Sequence, residues 1–181
     1  MNIQVRKLAL EEISLPLFAS FQRHQTVKRC WRKDEGSWIL KDIAFEENWG
    51  PKEKEILVRD LANTTNTGGD VWGAFQQNRL IGFCSVEKGL FGNNGQYAEL
   101  TSIHVSEESR GMGTGRLLFE KAKTSARSFG AKKLYISGHS SEESQAFYKA
   151  MGCREAEEYS QKVVEKEPFD CQLECPLEDT P

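Results

Sequence analysis

The chain has 181 residues, 38% of them hydrophobic and 28% charged, with a formal net charge of −3. A chain of this length builds one domain around its own core, without metal or disulfide staples. Its composition excludes disordered, fibrous and disulfide-scaffold classes; no apolar run reaches the roughly 18 residues of a membrane span, and no basic excess marks a nucleic-acid surface.

Asn2–Lys7 is the first strand candidate, and Ile13, Leu17, Phe18 and Phe21 then recur at helical spacing on one apolar face. Residues 22–36 carry a basic run, Arg23, Lys28, Arg29, Arg32 and Lys33, ending at Gly36, for which a solvated helix face is one of two readings. Trp31, Trp38, Phe45 and Trp49 are scattered through an irregular segment closed by Gly50-Pro51. Pro51 suits a first helical position, so a second helix follows with Ile56, Leu57 and Leu61 inward. The middle of the chain reads as a β-meander: Val71–Gln76, a tight turn at Gln77-Asn78-Arg79, Leu80–Val86, a Gly-Asn loop, and Gln96–Val105. The period then changes. Gly113–Phe129 is helical, with Leu117, Leu118 and Ala122 on one side and Gly130 closing it. Lys133–Ser137 is a short strand and Glu142–Met151 a helix stopped by Gly152; further strands fall near Cys153–Glu157 and Phe169–Cys175. This order predicts an α+β domain, with helices flanking a mixed, mostly antiparallel central sheet.

The net charge conceals an asymmetry. Residues 1–40 carry seven basic and four acidic side chains, whereas residues 141–181 carry four basic and eleven acidic ones. An acidic quarter can concentrate cations in an adjoining cleft, although its default reading is a solvated face and tail. Cys30, Cys84, Cys153, Cys171 and Cys175 form an odd set, and the N-terminus has no apolar signal segment, which together point to a reducing, cytoplasmic compartment. Cys171 and Cys175 alternate with Leu173 and Leu177 on one strand face and read as core, so no metal is expected.

The most informative segment runs from Glu99 to Leu118. A strand enters a turn with glycines at 111, 113 and 115, and an amphipathic helix leaves it. Unpaired amides and the dipole at a helix start favour an anion, and glycines let a phosphate approach the backbone. Arg110 and Arg116 bracket the turn and add charge-assisted donors. A P-loop requires Lys-Ser/Thr after its last glycine, where Arg116-Leu117 stands, and the dinucleotide fingerprint requires a G-x-G-x-x-G spacing. The pattern R/Q-x-x-G-x-G/A is matched by Arg110, Gly113 and Gly115.

On these residues the sequence resembles the GNAT superfamily of N-acetyltransferases. Glu142–Cys153, with Phe147-Tyr148 and Gly152, resembles the family's following helix; Cys153 replaces the usual aromatic, and Ser141 stands nearest to the usual Asn. The resemblance implies the acyl-CoA N-acyltransferase (GNAT) fold in one domain. Residues 1–70 would be mainly the acceptor-binding side, 71–156 the acetyl-CoA core, and 157–181 a C-terminal strand and tail. It implies acetyl-CoA as co-substrate, lying along Ile103, His104 and Val105. Arg110, Gly111, Met112, Gly113, Thr114, Gly115 and Arg116 would hold the pyrophosphate, with Ser141 and Ser144 nearby.

The same resemblance makes Tyr148 the general acid and Glu99 the base, with His104 or an ordered water as alternatives. Strand alternation places Glu99 and His104 on opposite faces. Trp31, Trp38, Trp49 and Phe91 are candidates for the acceptor pocket, weighed against roles in the core, and the basic run argues against a simple polyamine. The implied activity is acetyl transfer to a primary amine of a small molecule or peptide, by direct attack in a ternary complex. A non-catalytic acyl-CoA-binding or sensor module on the same fold is the alternative. A homodimer is compatible with this reading, and neither a nucleic acid nor a membrane is an expected partner.

Overall fold

The computed structural model describes residues 2–178. In chain order the elements are β1 (Gln4–Lys7), α1 (Leu15–Phe18), β2 (His24–Asp34), β3 (Ser37–Asn48), α2 (Pro51–Asn66), β4 (Asp70–Gln76) and β5 (Arg79–Val86). They continue with β6 (Tyr97–Val105), α3 (Thr114–Ser128), β7 (Lys133–Gly138), α4 (Glu142–Ala150), β8 (Arg154–Glu155), α5 (Gln161–Lys166) and β9 (Cys171–Pro176). Seven strands form one sheet in the order β1-β4-β5-β6-β7-β9-β8, in which only β6 and β7 run parallel. Leu118, Phe119, Ala122 and Ala126 of α3 pack on one face; Phe18, Phe21, Leu61 and Phe83 fill the other. Burying each such aromatic ring stabilises the fold by roughly 2 kcal/mol. Among the described residues, no helix is long and apolar enough to cross a membrane.

The central strands part where the chemistry will sit. β6 and β7 stay in register from Tyr97↔Lys133 to Leu100↔Ile136 and then separate. Each remains tied to its outer neighbour, Val105 to Gly82 of β5 and Gly138 to Cys171 of β9. The sheet therefore opens as a V whose inner edges have no strand partner.

A bulge on β6 decides which side chains face each way. Val86 pairs with Leu100 and Ser85 with Ser102, leaving Thr101 as an extra residue. Ala98 and Leu100 before the bulge, and Ile103 and Val105 after it, all join the cluster under α3. Glu99 and His104 consequently share the opposite face, which corrects the expectation from simple alternation.

The largest departure from the sequence reading is the segment 24–48. It is neither a helix face nor irregular; β2 and β3 pair into a long hairpin that turns at Glu35-Gly36, both at positive φ. Trp38, Leu40, Ile43, Phe45 and Glu47 are half-buried while their neighbours are exposed. A bulge between Val27 and Arg29 and the density of Lys and Arg hide this period of two. The hairpin docks on the chain after β7, with the Trp31 amide donating to the Ser140 carbonyl at 2.8 Å. Arg29 pairs with Glu142 and Lys33 with Glu155, each at 2.6 Å, so part of the basic N-terminal run meets the acidic C-terminal quarter. Such exposed pairs set docking register more than they add stability.

Two smaller differences concern helices. The helix expected over Ile13–Phe21 shortens to α1, because Ser14 is extended and Pro16 restarts the chain there. The C-terminal segment holds α5 in addition to its strand.

Candidate active site

The V opens into a cleft of about 1160 Å³. Its walls are the turn 110–116, β6, β7, α4, the end of β3 at Glu46–Trp49, and the segment 163–170. Of the residues expected at the site, Glu99, Ile103, His104, Val105, Arg110, Gly111, Gly113, Thr114, Gly115, Arg116, Ser144 and Tyr148 line it.

The glycine turn is built for an anion. Gly113 caps α3 at φ +81, a left-handed conformation in which a side chain is strained, and a Cβ there would meet nothing within 4 Å. The approach to the first amides of α3 is thus open. Thr114 opens α3 with its Oγ1 buried and without a hydrogen-bond partner among the described residues, and Arg110 and Arg116 line the same wall. Donors, cationic charge and lack of bulk together fit a pyrophosphate. Met112 instead turns its side chain outward, and Ser141 is fully buried. The Ser141 hydroxyl accepts from the Ser144 amide at 3.2 Å and from Gln25 Nε2 at 3.2 Å, so it caps α4 and braces the hairpin. Neither Met112 nor Ser141 is among the residues that line the cleft.

Tyr148 enters from α4 and lies over the end of β7. Gly138 permits this approach, since a Cβ there would stand 2.9 Å from Tyr148 Cε2. Burial pushes the phenol above its ordinary range, and its hydroxyl makes no hydrogen bond among the described residues.

Opposite Tyr148, four side chains from four segments interlock. Arg23 is nearly buried; its Nε donates to His104 Nδ1 at 3.2 Å and its Nη2 to Glu47 Oε2 at 3.0 Å. Its Nη1 has no hydrogen-bond partner among the described residues. Burial lowers the guanidinium from its ordinary value, with Arg110 adding to the effect. His139 Nδ1 accepts from the Ser141 amide, which leaves Nε2 to donate to Glu47 Oε1; both distances are 3.1 Å. Glu47 is therefore clamped at both oxygens, and its carboxyl lies below the usual range, chiefly through the His139 bond. His104 sits against Trp49 and Phe83, with ring centroids 4.8 and 5.4 Å away. Desolvation and then Arg23 hold it at about 3, so it is neutral and too weak to act as the base.

Two further carboxylates line the cleft. Burial, with Glu87 adding, raises Glu99; Lys166 and Lys162 oppose the shift. Asp170 accepts from Ser137 Oγ at 3.0 Å, and burial pushes its carboxyl up to about 6 against that bond.

Residues 38–153 match the model of the acetyltransferase (GNAT) family. The chain belongs to the GNAT family. A curated relative, an uncharacterised N-acetyltransferase of Chlorobaculum tepidum, is 29% identical over 117 residues, spanning 64% of this chain and 70% of its own length. Among solved structures, the fold resembles a candidate streptothricin acetyltransferase from Bacillus anthracis, solved in complex with acetyl coenzyme A. That match has a TM-score of 0.74 at 17% identity and covers 98% of this chain and 100% of the other. A nourseothricin acetyltransferase gives 0.69 at 16% identity, with coverage of 98% and 100%.

As a GNAT protein, the chain is an acetyl-CoA-dependent acetyltransferase. Sequence reasoning located the glycine-turn wall of this GNAT cleft but missed Arg23, Glu47, His139 and Asp170. A two-residue alternation over residues 43–48 was the available signal for Glu47; Asp170 has no local signal. Of the expected acceptor aromatics only Trp49 lines the cleft. Trp31 and Trp38 sit where the hairpin meets the body, and Phe91 packs apart with Tyr97 and Tyr135. Of the basic run only Arg23 reaches the cleft, so the run is no barrier to a cationic acceptor.

Proposed function

We propose that this GNAT enzyme acetylates a primary amine of a cationic small molecule or peptide, by direct attack within a ternary complex. The observation that carries this reading is the V between β6 and β7, with the glycine turn on one wall and Tyr148 and several carboxylates on others. Acetyl-CoA supplies an activated thioester when bound. The amides from Gly111 to Gly115, with Arg110 and Arg116, hold its pyrophosphate, and the unpaired backbone of Ile103 and Val105 receives its arm as an added strand. Tyr148 is the general acid. An ordinary phenol, with a pKa of about 10, is already protonated at neutral pH, and burial strengthens that state. The base belongs to the carboxylates of the cleft, with Glu99 the one expected from sequence.

The acceptor side carries Glu46, Glu47, Glu99, Glu167 and Asp170 against Arg23 and Lys166. That balance favours a cation. Two structural neighbours bear the names of streptothricin and nourseothricin acetyltransferases, which places that antibiotic class among the acceptors to test. A cytoplasmic location and a homodimeric state belong to the same reading.

The test pairs CoA calorimetry with thiol release from acetyl-CoA, using streptothricin, spermidine, lysine, an aminoglycoside and a short peptide. Binding of CoA with thiol release for at least one cationic amine is expected. Absence of CoA binding overturns the reading. Binding without release for any amine makes the protein a sensor module instead.

A further inference from the structure

Taking this acetyl transfer as the reaction, we propose that Asp170, and not Glu99, is the base that removes the proton from the acceptor's ammonium group. The first argument is position. β6 and β7 are paired through Leu100↔Ile136, so Glu99 lies on the closed side of the V. Asp170 lies on the open side: its carboxylate is held by Ser137, the first β7 residue past the last pair, and its neighbour Cys171 pairs with Gly138. Gly138 is the residue on which the Tyr148 ring rests. Acid and base thus share the free end of one strand.

The second argument is what each group faces. Asp170 is surrounded by Glu167 from the segment after α5, Glu47 from β3, His139 after β7 and Tyr148 from α4. Glu99 interacts with Glu87, Lys162, Lys166 and Tyr135, whereas the group that Asp170 acts on is Tyr148. Glu47 is held in its charged form by His139 and Arg23, which suits attracting an ammonium but not deprotonating one. His104 stays neutral and weakly basic. Asp170, with a carboxyl at about 6, is ionised at neutral pH and is a stronger base than Glu47 or His104.

The step balances. The ammonium gives one proton to the Asp170 carboxylate, and the freed nitrogen pair forms the C–N bond as the C–S bond breaks. The sulfur keeps the bonding pair and takes the Tyr148 proton. The new amide nitrogen returns its remaining excess proton to the Tyr148 oxygen, and Asp170 releases the first to solvent.

The experiment measures kcat/KM against pH for wild type, Asp170→Asn, Ser137→Ala and Glu99→Gln, using the fastest amine of the panel above, with CoA calorimetry on each protein. Wild type should lose activity below a pH of about 6. Asp170→Asn should lose about 100-fold or more at neutral pH, recover as rising pH deprotonates the amine directly, and bind CoA normally. Ser137→Ala removes a bond that favours the carboxylate, so its acid limb should move to higher pH. Glu99→Gln should keep the limb. An Asp170→Asn enzyme with wild-type rate and limb, or a Glu99→Gln enzyme without the limb, overturns the assignment while leaving the acetyltransferase reading intact. If Asp170→Asn fails to bind CoA, Ser137→Ala decides, and an unmoved limb overturns it. A wild type that turns over no amine overturns both readings.

Discussion

Replacing Tyr148 with phenylalanine separates catalysis from architecture, because its ring and its hydroxyl do different jobs. The ring packs on Gly138 and Phe147, whereas the hydroxyl makes no hydrogen bond among the described residues. Its loss leaves no buried partner unsatisfied, so folding stability should change by less than about 0.5 kcal/mol. General acids contribute about 10²–10⁴-fold, and a thiol with a pKa of about 8.5 is an easy leaving group, so the lower end applies. We expect kcat to fall by about 100-fold, equivalent to ~2.7 kcal/mol of barrier. Tyr97 provides the contrast. Its hydroxyl donates to Glu174 at 2.6 Å, and that fully buried carboxylate also accepts from Lys133 and Arg154 at 3.0 Å. Tyr97→Phe should lower stability by about 2 kcal/mol, the usual worth of a hydrogen bond to a charged group, with turnover preserved below the melting transition. Thiol release, CoA calorimetry and thermal denaturation of both variants read the two effects separately. Wild-type turnover in Tyr148→Phe, or a loss of CoA affinity that matches the loss of turnover, would refute the assignment of Tyr148 as acid.

The glycine turn and His104 yield two more expectations. At Gly113, held at φ +81, both Asn and Asp should destabilise the fold by about 1 kcal/mol, but only Gly113→Asp should abolish CoA binding by calorimetry; equal losses would mean that bulk rather than charge decides. His104 is held at about 3, against 6.5 ordinarily, so below pH 6.5 the unfolded chain binds the extra proton. Its stabilising contribution is complete above that pH and is lost as the pH falls toward 3. Denaturant midpoints measured down from neutral pH should fall more steeply for wild type than for His104→Gln, and parallel curves would refute a buried neutral imidazole.

What could be read from the sequence was what acts where it stands. Arg110, Gly113 and Gly115 stand together within one turn, and the strands from 71 to 105 show their period without help from the rest of the chain. The catalytic surroundings depend on long-range contacts. Arg23 meets His104 across 81 residues of chain, Glu47 meets His139 across 92, and Asp170 meets Ser137 across 33. Asp170 enters the cleft only because β9 pairs along the outer edge of β7. One extra residue, Thr101, reverses the side of the sheet on which half of β6 displays its side chains, and alternation alone cannot reveal it.

The charge asymmetry shows why composition gave so little about the acceptor. A basic N-terminal block and an acidic C-terminal block invite the idea that each lines one wall of a site. The structure divides them by contact instead. Arg29 and Lys33 neutralise Glu142 and Glu155 on the outside of the molecule, where the hairpin docks. Arg23 alone of that run turns into the cleft, and it holds Glu47 and His104. Asp170 and Glu167 of the acidic quarter then face the cleft from the other side, with few cations opposing them. The negative wall of the cleft therefore arises because Arg29 and Lys33 are engaged elsewhere.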